Sequence, residues 1–254
     1  MLKVRIIPTL LYKDFGLVKG VHFDSRRQIG SAMQAVKVYN LRGVDELVFL
    51  DVTATLEGRS PDVELIDELA DECFMPLTVG GGVRSVDDVR HLLRVGADKV
   101  AVNTAAIETP DLVRRAAERF GSQCVVVSID TRTDDAGTTT VWTHSGTVAN
   151  PRDPLEWAQE VEALGAGEIL LTSIDRDGTM TGYDLETLGR VTKGVSISVI
   201  ASGGAGRYDH FAEALDEGAA AVAAASIFHF TEQTPREAKL FLQQRRFPVR
   251  LPTR

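Results

Sequence analysis

The sequence predicts an α/β fold: a (β/α)8 (TIM) barrel built from two duplicated half-barrels, in a single domain spanning residues 1–254. Val79-Gly-Gly-Gly-Val83 recurs 122 positions later as Ala201-Ser-Gly-Gly-Ala205. A self-match at fixed spacing is typical of an architecture made of repeated units. Eight short apolar runs also alternate with amphipathic helical patterns, as in a parallel sheet covered by helices. A doubly wound open sheet is the alternative, but it does not naturally contain two equal halves.

The eight predicted strands are short runs rich in aliphatic and β-branched residues, a composition typical of buried parallel strands. They lie at 4–11, 46–51, 77–80, 99–103, 124–130, 168–173, 197–202 and 221–225. Eight strand–helix units within 254 residues match the usual size of a (β/α)8 barrel.

Several intervening helices have recognisable starts. Ser60-Pro61, Thr109-Pro110 and Thr234-Pro235 each place a capping side chain before a first-turn proline. Ser85-Val-Asp-Asp88 resembles a capping box with a shorter acid. These signals predict helices after the second, third, fourth and eighth strands.

A long segment with several glycines, residues 12–30, follows the first predicted strand. It would lie at the rim of the barrel where active sites are built. Long loops without secondary structure usually have a role, so we interpret this segment as a substrate lid rather than a linker.

Composition narrows the functional classes. The net charge of -8 argues against a nucleic-acid partner, which would need a basic surface. Cys73 and Cys124 lie within apolar patterns and predict buried free thiols. Met1-Leu-Lys-Val-Arg5 lacks the apolar stretch of a signal peptide, and no run is long enough to span a membrane. We therefore expect a soluble cytoplasmic protein without a membrane partner.

Glycine-rich turns after the predicted strands indicate two anion cradles. Glycine lets several backbone N–H groups approach one anion without an intervening side chain, and loops after the last two strands recurrently bind phosphate in this fold. The residues are Gly82, Asn103 and Thr104 in the first cradle, and Asp177, Gly178, Gly204 and Ser226 in the second. Simple tight turns are the alternative for any one pair. Two matched sets favour a phosphorylated substrate with a phosphate at each end.

A carboxylate pair expected from the duplication is incomplete. Near the start of each half the spacing is 119, so Leu11 occupies the place of Asp130. Two facing carboxylates would serve as general acid and base, and leucine cannot move a proton. Asp14 and Lys13 on the lid, or Asp51 after the second strand, could fill the vacant role. Asp51 could equally cap the turn that follows it.

Two further groups of polar side chains bear on function. Arg5, Glu46, Lys99 and Glu168 each stand at the start of a strand, where an unpaired charge would be costly. By themselves they favour a structural ion-pair layer at the closed end of the barrel. The histidines show no metal-ligand spacing, so we expect no metal and no other cofactor; they are His22, His91, His144, His210 and His229.

Seven stretches carry a family resemblance. They are Asp45-Glu-Leu-Val-Phe-Leu-Asp51, Thr78-Val-Gly-Gly-Gly-Val83, Gly96-Ala-Asp-Lys-Val100, Asn103-Thr-Ala105, Gly165-Ala-Gly-Glu-Ile-Leu-Leu-Thr-Ser-Ile-Asp-Arg-Asp-Gly-Thr179, Ala201-Ser-Gly-Gly-Ala205 and Ser226-Ile-Phe-His-Phe230. Over nearly its whole length the chain resembles the cyclase subunit of imidazole glycerol phosphate synthase, the ammonia-using half of a glutamine amidotransferase in histidine biosynthesis.

The resemblance implies a ribulosyl bisphosphate substrate held by the two cradles. It also implies that the four charges at the strand starts surround the entrance of an ammonia passage, and that a glutaminase docks on that face. Because all four positions match, the resemblance favours a gate over a structural layer.

The family's acid–base pair corresponds to Leu11 and Asp130, so the carboxylate expected at position 11 is missing. In one hypothesis the protein still catalyses the cyclase (lyase) reaction, with Asp130 assisted by Asp14. The favoured hypothesis is a divergent relative that relays ammonia to another acceptor. The segment from Arg5 through Lys19 is similar to relatives in bacterial surface-sugar pathways, where a synthetase partner uses the ammonia to make an amidino group. Lys19 is a further candidate catalytic residue, and a related sugar-phosphate isomerase ranks third.

Overall fold

The computed structural model describes residues 3–251, and its central feature is a closed barrel of parallel strands. Its eight strands, within the described residues, are β1 (Arg5–Lys13), β4 (Leu47–Asp51), β5 (Leu77–Gly80), β6 (Lys99–Val102), β7 (Val125–Thr133), β10 (Glu168–Ser173), β11 (Ser198–Ser202) and β12 (Ala221–Ala224). The barrel closes because β1 pairs in parallel with both β12 and β4, and β10 pairs with both β7 and β11. The predicted fold class is confirmed.

Helices between the strands cover the outside of the barrel. They are α1 (Ala32–Arg42), α2 (Val63–Asp71), α3 (Val86–Arg94), α4 (Thr104–Glu108), α5 (Asp111–Phe120), α6 (Pro154–Ala163), α7 (Leu185–Gly194), α8 (Tyr208–Asp216), α9 (Ser226–Phe230) and α10 (Pro235–Gln244). None of the helices within residues 3–251 is both long enough and apolar enough to cross a lipid bilayer.

Four more strands form antiparallel ribbons at the rim: β2 (Gly16–Val21), β3 (Asp24–Gly30), β8 (Thr139–Thr143) and β9 (Val148–Asn150). In the first ribbon β2 pairs with β1 and β3; in the second, β8 pairs with β7 and β9. Segment 12–30 is therefore an ordered ribbon rather than the long loop that the sequence predicted, and its role as a substrate lid stays a prediction. The ribbon turns at Asp14–Phe15 and at His22–Phe23, where all four residues have positive φ, as tight hairpin turns require. No Asn-Gly or Asp-Gly pair announced these turns.

Strand periodicity separates two apolar regions. Residues such as Ile6 and Leu10 point outward into the main core beneath the helices. The residues that point inward form what we call the inner apolar layer: Ile7, Val48, Ala101, Val126, Leu170, Ile200, Ala221 and Ala223. This layer lies between two polar ends. The floor is the end where the strands start, and the mouth is the end where they finish.

The duplication is visible in backbone geometry as well as in sequence. Gly96 follows α3 with φ of 104°, and its counterpart Gly218 follows α8 with φ of 97°. The two ribbons also correspond, since each extends the first strand of its half. The backbones of the two halves thus follow the same plan.

Helix starts agree only in part with the predictions. The Ser85–Asp88 capping box is present, and Thr234 forms another with Glu237. The expected cap at Ser60 was wrong, because Asp62 caps α2 by accepting a hydrogen bond from the Leu65 N–H at 3.0 Å. At α5 the cap position is Pro110, without a side-chain cap from Thr109.

Candidate functional site

A cavity of about 220 Å³ opens at the mouth of the barrel, where (β/α)8 proteins build their active sites. Residues from both predicted cradles line it, together with Leu11, Lys19 and Asp130. The duplicated strand ends therefore bring the two sets of glycine turns to one shared space.

The first cradle is formed by the turn after β5 and the start of α4. Gly82 has φ of 72°, and a Cβ atom there would lie 2.6 Å from the Arg59 carbonyl oxygen, so only glycine fits. Thr104 Oγ1 accepts a hydrogen bond from the His144 N–H at 3.0 Å. The Asn103 amide donates to the Ser128 carbonyl at 3.1 Å and to Asp130 Oδ2 at 3.2 Å. Asn103 therefore orients Asp130 as well as bordering the cradle.

The second cradle is formed by the turn after β11 and the start of α9. Gly204 has φ of 110°, and a Cβ atom there would collide with the Gly182 carbonyl oxygen. Gly178 packs in the same way against the backbone of Gly20 in the first ribbon. Ser226 is buried with its hydroxyl unpartnered within the described residues, so this hydroxyl is free for a ligand.

Asp177 differs from the other predicted phosphate contacts. Both of its carboxylate oxygens accept hydrogen bonds from Lys19 Nζ at 2.8 Å, and Lys19 is buried. The Asp177 carboxylate is engaged in this ion pair, and the contact of Asp177 with phosphate stays a prediction. The ion pair anchors the first ribbon to the loop after β10, and the His22 N–H reinforces it by donating to the Asp177 carbonyl at 2.9 Å.

Asp130 is a buried carboxylate at the mouth. It accepts hydrogen bonds from Ser128 Oγ at 3.2 Å and from Asn103. Burial raises the pKa of Asp130 to about 7; the Ser128 hydrogen bond opposes this shift and the charge of Asp177 adds to it. A carboxyl group that titrates near neutral pH suits a group that donates and accepts protons.

The wall on the Leu11 side of the cavity is apolar. Leu11 pairs with Leu50 in the β1–β4 register, and both side chains line the cavity. Asp51 lies beside them, but its Oδ1 accepts from the N–H groups of Thr53 and Ala54 at 3.0 Å. Its Oδ2 accepts from Arg59 at 3.1 Å. Asp51 therefore caps the turn after β4, and it also lines the cavity.

The structure brings Lys19 to the cavity but leaves Asp14 outside the residues that line it. Asp14 lies in the β1–β2 turn with 69% of its side chain exposed, 3.8 Å from Lys13 Nζ. Asp14 was a candidate because it is close to Leu11 in sequence. In the structure the ribbon places the Asp14 turn away from the mouth, so the two residues do not share the cavity.

Sequence reasoning missed two basic residues that line the cavity, His144 and Arg84. His144 lies in the β8–β9 turn with φ of 52°, and Ser145 beside it donates to the Val52 carbonyl at 2.7 Å. The second ribbon thereby reaches across to the first half-barrel. The sequence His144-Ser145-Gly146 has the composition of a turn, which was the one available signal. A turn composition does not predict a contact with the opposite half-barrel. Among residues 3–251, no three His, Cys, Asp or Glu side chains are grouped to hold a metal ion.

Four charges form an ion-pair ring at the floor. Arg5 contacts Glu46 at 2.7 Å and Glu168 at 2.6 Å, while Lys99 contacts Glu46 at 3.0 Å and Glu168 at 2.7 Å. Burial tends to raise the pKa of Glu168, but hydrogen bonds and charge from Arg5 and Lys99 outweigh it and lower the pKa. Every member thus has two partners of opposite charge.

These features define a class: a duplicated (β/α)8 barrel with a polar cavity at its mouth and an ion-pair ring at its floor. The chain belongs to the histidine biosynthesis protein family, whose profile matches residues 5–234. It is 53% identical over 253 residues to the imidazole glycerol phosphate synthase subunit HisF of Caulobacter vibrioides, covering 99% of this chain and 97% of that protein. It is 52% identical over 249 residues to the same subunit of Streptomyces coelicolor, covering 98% and 99%.

Proposed function

We propose that this chain is the ammonia-accepting barrel subunit of a glutamine amidotransferase, and that it relays ammonia to an acceptor such as an amidino-sugar synthetase. The observation that carries the proposal is the wall opposite Asp130. Leu11 and Leu50 occupy it, and the adjacent Asp51 is hydrogen-bonded as a turn cap. The duplicated site then lacks the second carboxylate that would face Asp130 for general acid–base chemistry.

The floor supports a glutaminase partner. Leu41 ends the last turn of α1 with 90% of its surface exposed, and Phe74 follows α2 with 84% exposed. Asn40 joins these helix ends, because its side chain donates to the Glu72 carbonyl at 2.6 Å and accepts from the Phe74 N–H at 3.1 Å. Two large exposed apolar side chains at the same end of the barrel as the ion-pair ring suit a protein interface, since such surfaces are rich in apolar and aromatic anchors.

The mouth supports a phosphorylated small-molecule ligand. The glycines of both cradles border one cavity, and the Ser226 hydroxyl lacks a partner within the described residues. Under the relay hypothesis this ligand occupies the cavity and is not rearranged there. The barrel then serves mainly as a binding module and a conduit.

The second candidate function is the cyclase (lyase) reaction itself. Two relatives that are 52–53% identical over almost the whole chain are named subunits of imidazole glycerol phosphate synthase. Asp130, with its pKa near 7, and the buried Lys19 are both retained at the cavity. This candidate function requires a second proton-transfer group elsewhere in the cavity, because position 11 carries no carboxylate to act with Asp130.

The two functions separate in an assay with ammonium and the ribulosyl bisphosphate. We expect the unmodified protein to turn over slowly and Leu11→Asp to raise the rate by about 10²–10⁴-fold, because it restores the carboxylate that pairs with Asp130 in the duplication. Leu50→Asp is the matched control, since it places a carboxylate on the same wall at a position the duplication does not pair with Asp130. Full activity of the unmodified protein would refute the relay. An equal gain from both variants would refute the role assigned to position 11.

A further inference from the structure

Three buried side-chain atoms have no hydrogen-bond partner among the residues that the structure describes: Thr9 Oγ1, Arg90 Nε and Ser226 Oγ. Thr9 and Ser226 both line the cavity at the mouth. Ser226 belongs to the second cradle, but Thr9 belongs to neither. A buried hydroxyl without a partner is destabilising and rare in native proteins, so the Thr9 hydroxyl requires a physical explanation.

Thr9 lies deep in the cavity. It faces inward on β1 between Ile7 of the inner apolar layer and Leu11 of the apolar wall, and only 7% of it is exposed. Neither inward neighbour can accept or donate a hydrogen bond. The Thr9 backbone forms a hydrogen bond with the partly buried His229 ring. The hydroxyl is therefore available to a ligand in the cavity, above the inner apolar layer.

The second half-barrel shows which hydrogen-bond partner the Thr9 hydroxyl lacks. The counterpart of Thr9 is Ser128, whose Oγ donates to Asp130 Oδ1 at 3.2 Å. In the first half the Thr9 hydroxyl is present, but Leu11 occupies the position of the carboxylate that would accept its hydrogen bond. Valine has nearly the shape of threonine and would fill this position without an unpartnered polar atom.

We propose that Thr9 Oγ1 contacts the carbon chain of the phosphorylated ligand between the two cradles, and so positions that ligand opposite Asp130. A threonine hydroxyl both donates and accepts, which suits a hydroxyl or carbonyl oxygen of a sugar phosphate. The inference rests on the phosphorylated ligand of the proposed function, but not on the route or fate of ammonia.

The test is binding of the ribulosyl bisphosphate and of inorganic phosphate by titration calorimetry to the unmodified protein, Thr9→Val and Thr9→Ser. We expect Thr9→Val to bind the bisphosphate about five- to tenfold more weakly, the loss typical of one hydrogen bond. Thr9→Ser keeps the hydroxyl and should bind within about twofold of the unmodified protein. Both variants should bind inorganic phosphate unchanged, because the cradles are intact.

Thermal unfolding adds a readout that separates a ligand contact from a remnant of the duplication. Without ligand, Thr9→Val should unfold at a higher temperature than the unmodified protein. Added bisphosphate should raise the unfolding temperature of Thr9→Val by less than that of the unmodified protein. Ser226→Ala is the positive control, since losing a cradle hydroxyl should weaken the binding of both probes.

Equal bisphosphate affinity of the unmodified protein and Thr9→Val would overturn the inference alone. An equal loss in Thr9→Ser and Thr9→Val would also overturn it, because the hydroxyl would then not be the group that matters. Absence of bisphosphate binding to the unmodified protein would overturn both the inference and the two-cradle site. None of these results decides the relay, which the turnover of Leu11→Asp tests separately.

Discussion

At the floor of the barrel, the first half-barrel supplies most of the charge. Arg5, Glu46 and Lys99 come from the first half, and Glu168 comes from the second. The duplication pairs Glu46 with Glu168, but it pairs Arg5 with Cys124 and Lys99 with Ala221. The ion-pair ring is therefore closed by two cations that the second half does not repeat.

At the mouth both halves supply charged side chains, but not at matching positions. Asp130 and Asp177 come from the second half, while the first half presents Leu11 in its wall and supplies Lys19 from its ribbon. The two backbones match in strands, ribbons and glycine turns, yet their side chains do different chemistry. The comparison shows that duplication sets where functional positions lie, and that individual substitutions decide what each position does.

The Leu11→Asp test described above addresses the largest difference between the halves. The next largest expected effect concerns Asp130, whose carboxyl group can ionise whereas the matching Leu11 side chain cannot. Its folded pKa of about 7 lies above the unfolded value near 4, so its contribution to stability is fully present below pH 4. That contribution is lost as the pH rises through 7.

The stability of the unmodified protein relative to Asp130→Asn should therefore fall by up to about 4 kcal/mol between pH 4 and pH 8. Urea unfolding of both proteins at several pH values measures this difference. Parallel pH dependences would mean that Asp130 ionises normally, and that its carboxyl group is not tuned for proton transfer at neutral pH.

The glycine turns are the feature in which the halves agree most closely. Gly204→Ala should destabilise the protein by about 2–4 kcal/mol, from left-handed backbone strain together with the collision at Gly182. It should also abolish phosphate binding at the second cradle. Gly137→Ala is the matched control, because Gly137 has φ of 84° with open space around it and should lose only about 1 kcal/mol. Equal losses in the two variants would show that close packing at the cradle contributes nothing.

The smallest expected effect tests the floor. Lys99→Ala should raise the free ammonia released per glutamine hydrolysed several-fold in the complex with a glutaminase and an acceptor, because the ring loses one of its two cations. Circular dichroism should show an intact fold. Arg114→Ala is the control, since Arg114 is exposed near the start of α5 and pairs with Asp111, away from the proposed docking surface. Unchanged coupling in Lys99→Ala would remove the gate assignment and leave a structural ring.

The sequence alone determined the barrel, its two halves and the positions where function would be sought. Apolar runs of strand length and the 122-residue self-match are local or periodic signals, and they do not depend on knowing any contact. They also exposed the leucine at position 11, because a matched copy supplies the residue to compare it with. The ends of the strands were predicted less accurately. Strands β1 and β7 extend beyond their predicted ends because the ribbons pair with them.

Only the tertiary structure decided which of the candidate side chains meet. Lys19 reaches Asp177 across 158 residues of sequence, and this pairing depends on two ribbon turns with positive φ that no residue pattern announced. Asp51 and Asp14 looked equally available in sequence, yet one is a turn cap and the other lies in solvent at the ribbon turn. The partner of a charged side chain is set by strand register and turn geometry, and short-range sequence preferences do not encode either one for residues so far apart.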